Sequence, residues 1–176
     1  MTLTENPYLA MALNNAWANA TFYQALGGLS EAEFTAPRPG FFDSLALTMN
    51  HIYEVDLYYV DALTQGGKGR SVYARSDITA AKVLGQAQQG VDLALVQFCK
   101  DAGPDLFQAP RQTERKDETV TERVDALLLH LFQHQVHHRG QAHVQLHAAG
   151  IAPPQLDDFY LEYGRVLSAA AYWRAP

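Results

Sequence analysis

The sequence has 176 residues and a single cysteine, Cys99. One thiol forms no intramolecular disulfide and supports no cysteine-rich zinc module. Positive charge is also scarce. Against 19 Asp+Glu there are 13 Lys+Arg, a formal net charge of −6. That balance excludes the broad basic surface that nucleic acid or anionic lipid requires. No long apolar run is present either. Asn6 to Ser30 carries no charged residue, yet Asn6, Asn14, Asn15, Asn19, Gln24 and Gly27-Gly28 interrupt it, and no basic stretch precedes it. Such a segment suits neither a bilayer span nor a secretory leader. A soluble protein of a reducing compartment is expected, most simply cytoplasmic, with no nucleic-acid or membrane partner.

Several catalytic signatures are missing. His134-Gln135-Val136-His137-His138 has Gln where a zinc protease carries its general-base Glu. No Glu-x-x-His occurs, which argues against a ferritin-type di-iron centre. Gly66-Gly67-Lys68-Gly69 is not a Walker sequence and follows a helical block, so it reads as a flexible loop.

What remains is a chain that is 48% hydrophobic and 18% charged, a balance that folds. Its length suits one domain spanning residues 1–176. Apolar residues recur at helical spacing in four blocks. The first runs from Pro7 to Leu26, with Pro7 in the first turn and Gly27-Gly28 as the stop. The second runs from Asp43 or Ser44 to Leu63. The third starts at Asp77 as N-cap and closes at Gly103-Pro104. Residues 106–119 are polar and read as a long connection with short strands or a hairpin. The fourth begins near Thr119–Val124, where Thr119-Val120-Thr121-Glu122 matches a capping box, and ends at Ala149-Gly150. Pro153-Pro154 then opens a short terminal helix. The pattern predicts an all-α fold, a four-helix bundle with one long crossover and a short C-terminal helix.

Histidine is the residue in excess. Five of the seven lie between His130 and His143. Histidines four apart on a helix reach one metal ion, and His130/His134, His134/His138 and His143/His147 all have that spacing. The apolar face chooses among them. With His134 at zero on a wheel of 3.6 residues per turn, His138 falls at about 40°, Leu127 and Gln145 near 20°, Leu131 near 60° and Ala142 near 80°. The inward stripe is therefore expected to centre on His134 and His138. His143 and His147 fall on the far side, near 180° and 220°, and His130 and His137 lie on one flank. His51, mid-stripe on the second block, supplies a third vertex. Three neutral imidazoles suit Zn²⁺, Ni²⁺, Cu²⁺ or Fe²⁺ and leave a coordination position open. Each of these histidines, taken singly, also suits a hydrogen-bonded core position. Cys99, near a helix C-terminus, reads as a packed residue and not as a nucleophile.

The run His134-Gln135-Val136-His137-His138-Arg139-Gly140-Gln141 resembles the signature of the DinB-like (DinB/YfiT) family. So do Pro37-Arg38-Pro39-Gly40-Phe41-Phe42, Asn50-His51-Ile52, Asn15-Ala16-Trp17-Ala18-Asn19 and Gly150-Ile151-Ala152-Pro153-Pro154. Gln133 departs from it, since the family often has Asn there. The resemblance implies a four-helix bundle, often dimeric, with one divalent ion, zinc or nickel, on His51, His134 and His138. It also implies a small-molecule substrate. Members of known activity include S-transferases and isomerases that use low-molecular-weight thiols, and others are classed as metal-dependent hydrolases.

Two functions follow. In the first, a three-histidine ion activates water or a small thiol. Tyr58 then either orients substrate or packs as an aromatic. Gln141 and Gln145 stand near the ligands, Arg139 meets an acidic substrate or an acidic residue of another helix, and Glu54 is the nearest candidate base. In the second, the protein is a non-catalytic, metal-stabilised helical dimer that binds a small molecule or a partner.

Overall fold

The computed structural model describes residues 5–173. Helix α1, Pro7–Leu26, starts where the Asn6 side chain accepts the Leu9 amide at 3.0 Å and Pro7 presets the first turn. Helix α3, Leu45–Thr64, starts where Ser44 accepts the Leu47 amide at 3.1 Å. Such caps are each worth about 1 kcal/mol. Between them lies a five-residue helix, α2, Glu31–Thr35. It is closed by a capping box in which Ser30 and Glu33 bond reciprocally, inside a stretch expected to be loop.

Helix α4 spans Ala81–Asp101, and its N-cap, Ala80, lies three residues beyond the expected one at Asp77. The cause lies in α3. The Asn50 amide donates to Ile78 O and its oxygen accepts from Ile78 N, both at 2.9 Å. Arg75 donates to the same oxygen at 3.0 Å and to Glu54 at 3.1 Å. These bonds hold the chain extended along α3 until Ala80.

The connection after α4 contains a short helix, α5, Pro104–Gln108, and the expected hairpin. Strand β1, Pro110–Glu114, pairs antiparallel with β2, Thr119–Arg123, in the register Pro110↔Arg123 to Glu114↔Thr119. Thr119-Val120-Thr121-Glu122 is thus a strand, not a capping box. Its β-branched residues favour a pleated ladder once a partner is present. Helix α6, Val124–Ala148, follows at once. The terminal helix, α7, is Leu167–Trp173, well beyond Pro153-Pro154. Residues 151–166 instead run without helix over the bundle, where Ile151 and Leu156 pack half-buried against one part of the core and Phe159 is enclosed in another.

Helices α1 and α3 each pack against both α4 and α6, so α1 and α3 occupy opposite corners of a four-helix bundle. Residues of all four helices form the core, with Trp17, Phe22, Leu45, Ile52, Leu84 and Leu95 fully enclosed. Among the described residues no helix is long and apolar enough to cross a membrane.

Polar residues from every corner meet inside this core. Arg139 Nη1 donates to Asn15 Oδ1 and Asn19 Oδ1 at 2.8 Å and to Gln135 Oε1 at 3.1 Å. Asn15 and Asn19 donate in turn to Asp92, and Gln88 bridges Asp92 and Asp56. All seven are buried. Burial pulls the Arg139 guanidinium down to about 10, pushes Asp92 up to about 7 and raises Asp56 well above the carboxylate range. The guanidinium stays charged at neutral pH, and the amides of Asn15 and Asn19 bridge it to Asp92 by accepting from one and donating to the other.

Candidate metal centre

His51 stands on α3, and His134 and His138 stand on successive turns of the facing helix α6. Their ligating nitrogens all lie within 4.8 Å of one another, and among the described residues no carboxylate or thiol joins the group. His51 Nε2 is 3.0 Å from His134 Nε2. The ring centroids are 4.9 Å apart for His51–His134, 4.5 Å for His51–His138 and 4.4 Å for His134–His138.

Second contacts set the rings. Gln141 Oε1 lies 2.9 Å from His138 Nδ1. A proton on Nδ1 satisfies that oxygen and turns the Nε2 lone pair towards the cluster. Phe42 packs on His51 at 4.6 Å and on His138 at 5.7 Å. Its carbonyl accepts Gln145 Nε2 at 2.6 Å, and Gln145 Oε1 accepts the Thr48 hydroxyl at 2.7 Å. Gly40 permits this: a Cβ there would sit 2.7 Å from Gln145 Nε2.

Burial disfavours the imidazolium form at all three positions. With the neighbouring His138, it lowers His51 to about 4. Burial, then the charges of His138, His51, His130 and His137, lower His134 to about 3. Burial lowers His138 too, against the opposing Gln141 bond. Metal ligation needs neutral imidazole, and burial already maintains it. His134 Nδ1 is buried without a hydrogen-bond partner. Donor type, spacing and neutrality fit a divalent ion.

The other residues singled out by the sequence divide clearly. His130 is exposed beside Tyr59, with centroids 5.1 Å apart. His137 is exposed and reaches Gln141 at 3.1 Å, and His147 is exposed. His143 is half-buried, 3.2 Å from Pro154 O, so it is not the free surface residue expected. Glu54 is engaged by Arg75. Tyr58 is a packed aromatic whose hydroxyl donates to Glu114 O at 2.5 Å. Arg139 faces the core network, not the histidines. The thiol of Cys99 is fully enclosed, and burial pushes it up to about 12, which rules out a nucleophile. The Gly66–Gly69 loop wraps Asp61, which accepts the Lys68 and Gly69 amides at 2.9 Å.

The stripe on α6 is also displaced. The pair does not lie at its centre, because the buried arc extends through Leu128, Phe132, Gln135, Arg139 and Leu146. His134 and His138 lie on one edge of that arc, where the α3–α6 groove meets the surface. Of the two readings of Arg139, the one in which it meets acidic residues of other helices holds, through Asp92 and Asp56, while the burial of those carboxylates and their amide partners was not foreseen.

A helical bundle with three convergent imidazoles on two facing helices defines an all-α class of fold with a site that could hold a metal ion. The model of the DinB family matches residues 2–169, and the chain belongs to that family. A crystal structure of a DinB-like protein from Bacillus cereus ATCC 10987 has the same fold. It matches with a TM-score of 0.62 and 18% identity, over 79% of this chain and 90% of that one. Among curated proteins no match is found.

Proposed function

We propose that this DinB family member is a metal-dependent enzyme acting on a small molecule, with one divalent ion, zinc or nickel, held by His51, His134 and His138. The observation that carries this reading is the convergence of three imidazoles with no fourth protein ligand among the described residues. Three-histidine sites of that kind keep a position for water or substrate. The ion supplies Lewis-acid activation of a small thiol or a water.

The protein's own groups have separable tasks. Burial keeps the three rings unprotonated, Gln141 fixes the His138 ring, and Phe42, anchored by Gln145, covers one side of the cluster. Glu54, the nearest candidate base, is engaged by Arg75. This favours S-transfer from a low-molecular-weight thiol over hydrolysis. A thiol with a pKa near 8.5 gives up its proton far more readily than water does.

The test is a screen of zinc- and nickel-loaded protein with small thiols and electrophilic acceptors, beside ester and amide substrates. Thiol-dependent turnover that disappears in His51→Ala supports transfer. Ester or amide cleavage with the same dependence assigns hydrolysis. Bound metal without turnover supports the second reading, a metal-stabilised helical dimer that binds a small molecule or partner. The outer face of α6 favours a homodimer in either case, with Leu129, Val136 and Val144 exposed by 59%, 57% and 65%. The proposed setting is the cytoplasm, where the enclosed Cys99 stays reduced.

A further inference from the structure

A recess of about 190 Å³ opens beside His134, between α3, the 3-10 turn Gly69–Tyr73, the hairpin and α6. Its flat walls are the rings of Tyr59, Tyr73 and His130. Its cations are Arg70, Arg115 and Lys116. The clustering is notable in a chain of net charge −6. Two of the cations are held in place. The Arg70 guanidinium lies 5.6 Å from the Tyr73 ring centroid, and Arg115 bonds Glu122 at 2.7 Å. Lys116 has no ion-pair partner among the described residues. Three cations and one carboxylate, Glu114, line the recess, while Glu122, Asp117 and Glu118 stand outside its lining. On the other side of the histidines, Phe41 presents a ring that is 76% exposed, edge-on to Phe42 at 4.9 Å.

We propose that this recess receives the anionic head of a small, flat organic acid whose apolar body lies across the histidines towards Phe41. The proposal rests on the metal-centre reading for its place in the reaction, since it assigns the acceptor's chemistry at that same site. Size limits the ligand. The recess is smaller than the roughly 300–1,000 Å³ that houses a whole drug-sized molecule, so it takes a head group and not a nucleotide. Charge selects it, because hydrogen bonds from guanidinium or ammonium to an oxyanion are about twice as strong as neutral ones. A carboxylate and a phosphate share this chemistry.

The test titrates full-length protein, zinc-loaded and metal-stripped, with benzoate, phenyl phosphate and neutral benzamide, followed calorimetrically at two salt concentrations. At least one anion is expected to bind both forms more weakly at high salt, with benzamide about tenfold weaker or more. The tighter anion names the head group. An Arg115→Gln/Lys116→Gln variant is expected to lose about tenfold in anion affinity, with zinc content unchanged and cooperative unfolding retained. Benzamide binding as well as the anions, or full anion affinity in the double variant, overturns the proposal. Failure of the metal reading is separate. Zinc absent from loaded protein by elemental analysis sinks that reading, while the charge dependence in stripped protein still decides this one.

Discussion

His51 and His134 approach each other across the α3–α6 groove with their Nε2 atoms 3.0 Å apart. Two imidazoles on one tetrahedral zinc, each bonded at about 2.0–2.1 Å, hold their nitrogens about 3.3 Å apart. A few tenths of an ångström separate the two arrangements for this pair, and His138 stands within 4.8 Å of both. Elemental analysis of tag-free protein is expected to show about one divalent ion per chain. His51→Ala and His134→Ala should each reduce that content at least tenfold, whereas His147→Ala and His143→Ala should leave it intact. Loss of the ion in His147→Ala with retention in His51→Ala would show the ligands to be misassigned.

The core network should dominate stability. Replacing Arg139 by Met keeps the length of the side chain but strands the oxygens of Asn15, Asn19 and Gln135, and leaves Asp92 without its cation. Breaking one partner of a buried charged network costs about 3–5 kcal/mol. Urea unfolding of Arg139→Met should show a loss of that order. A loss below about 1 kcal/mol, the scale of an exposed pair, would mean that the network is wetter than the structure indicates.

Asp92 gives the fold a pH dependence of defined sign. Burial raises its folded-state pKa to about 7, above the ordinary 3.8. The folded protein therefore binds a proton that the unfolded chain releases near pH 4. This contribution is fully present below pH 4 and is lost as pH rises towards 7, with a slope of at most about 1.4 kcal/mol per pH unit. Asp56 is raised by burial too and acts in the same sense. Asp92→Asn cannot ionise. The stability difference between this variant and the wild type should shift in the variant's favour as pH rises from 4 to 7. A difference that stays constant across that window would refute the assignment.

The same network explains where the sequence misleads. Capping residues made α1 and α3 legible, since Asn6, Pro7 and Ser44 act at their own helix starts. Three histidine pairs share the four-residue spacing, and it was the apolar face that singled out His134 and His138, with His51 mid-stripe on the second block. The exact face of α6 was not legible. A wheel that scores Leu, Val and Ala as inside treats Gln135 and Arg139 as outside, yet both are buried. Polar groups that satisfy one another in the core violate binary patterning. Tertiary contacts hid the other boundaries. Nothing local announces that Asn50 pins Ile78, or that Phe159 leaves Pro153-Pro154 in extended chain to pack near Trp17, with ring centroids 5.5 Å apart. The helix at Glu31–Thr35 was readable, because Ser30 and Glu33 have capping-box spacing. Pro37 and Pro39, which cannot continue a helix, mask it.

Two glycines on α4 should respond oppositely to the same change. Replacing a helical Gly by Ala gains about 1 kcal/mol in propensity wherever the methyl group has room. At Gly90 a Cβ meets nothing within 4 Å, so Gly90→Ala should stabilise by about that amount. At Gly85 a Cβ would sit 3.0 Å from the Tyr23 ring. That hydroxyl is buried without a partner and the ring is packed against the core beside Phe22 and Leu26, so it has little freedom to retreat. Overpacking costs about 1–3 kcal/mol, which cancels or exceeds the propensity gain. Gly85→Ala should therefore be neutral to destabilising, and Gly85→Val clearly destabilising, in thermal melts run beside Gly90→Ala. If Gly85→Ala and Gly90→Ala raise Tm equally, the close approach of α1 and α4 at Tyr23 does not exist in solution.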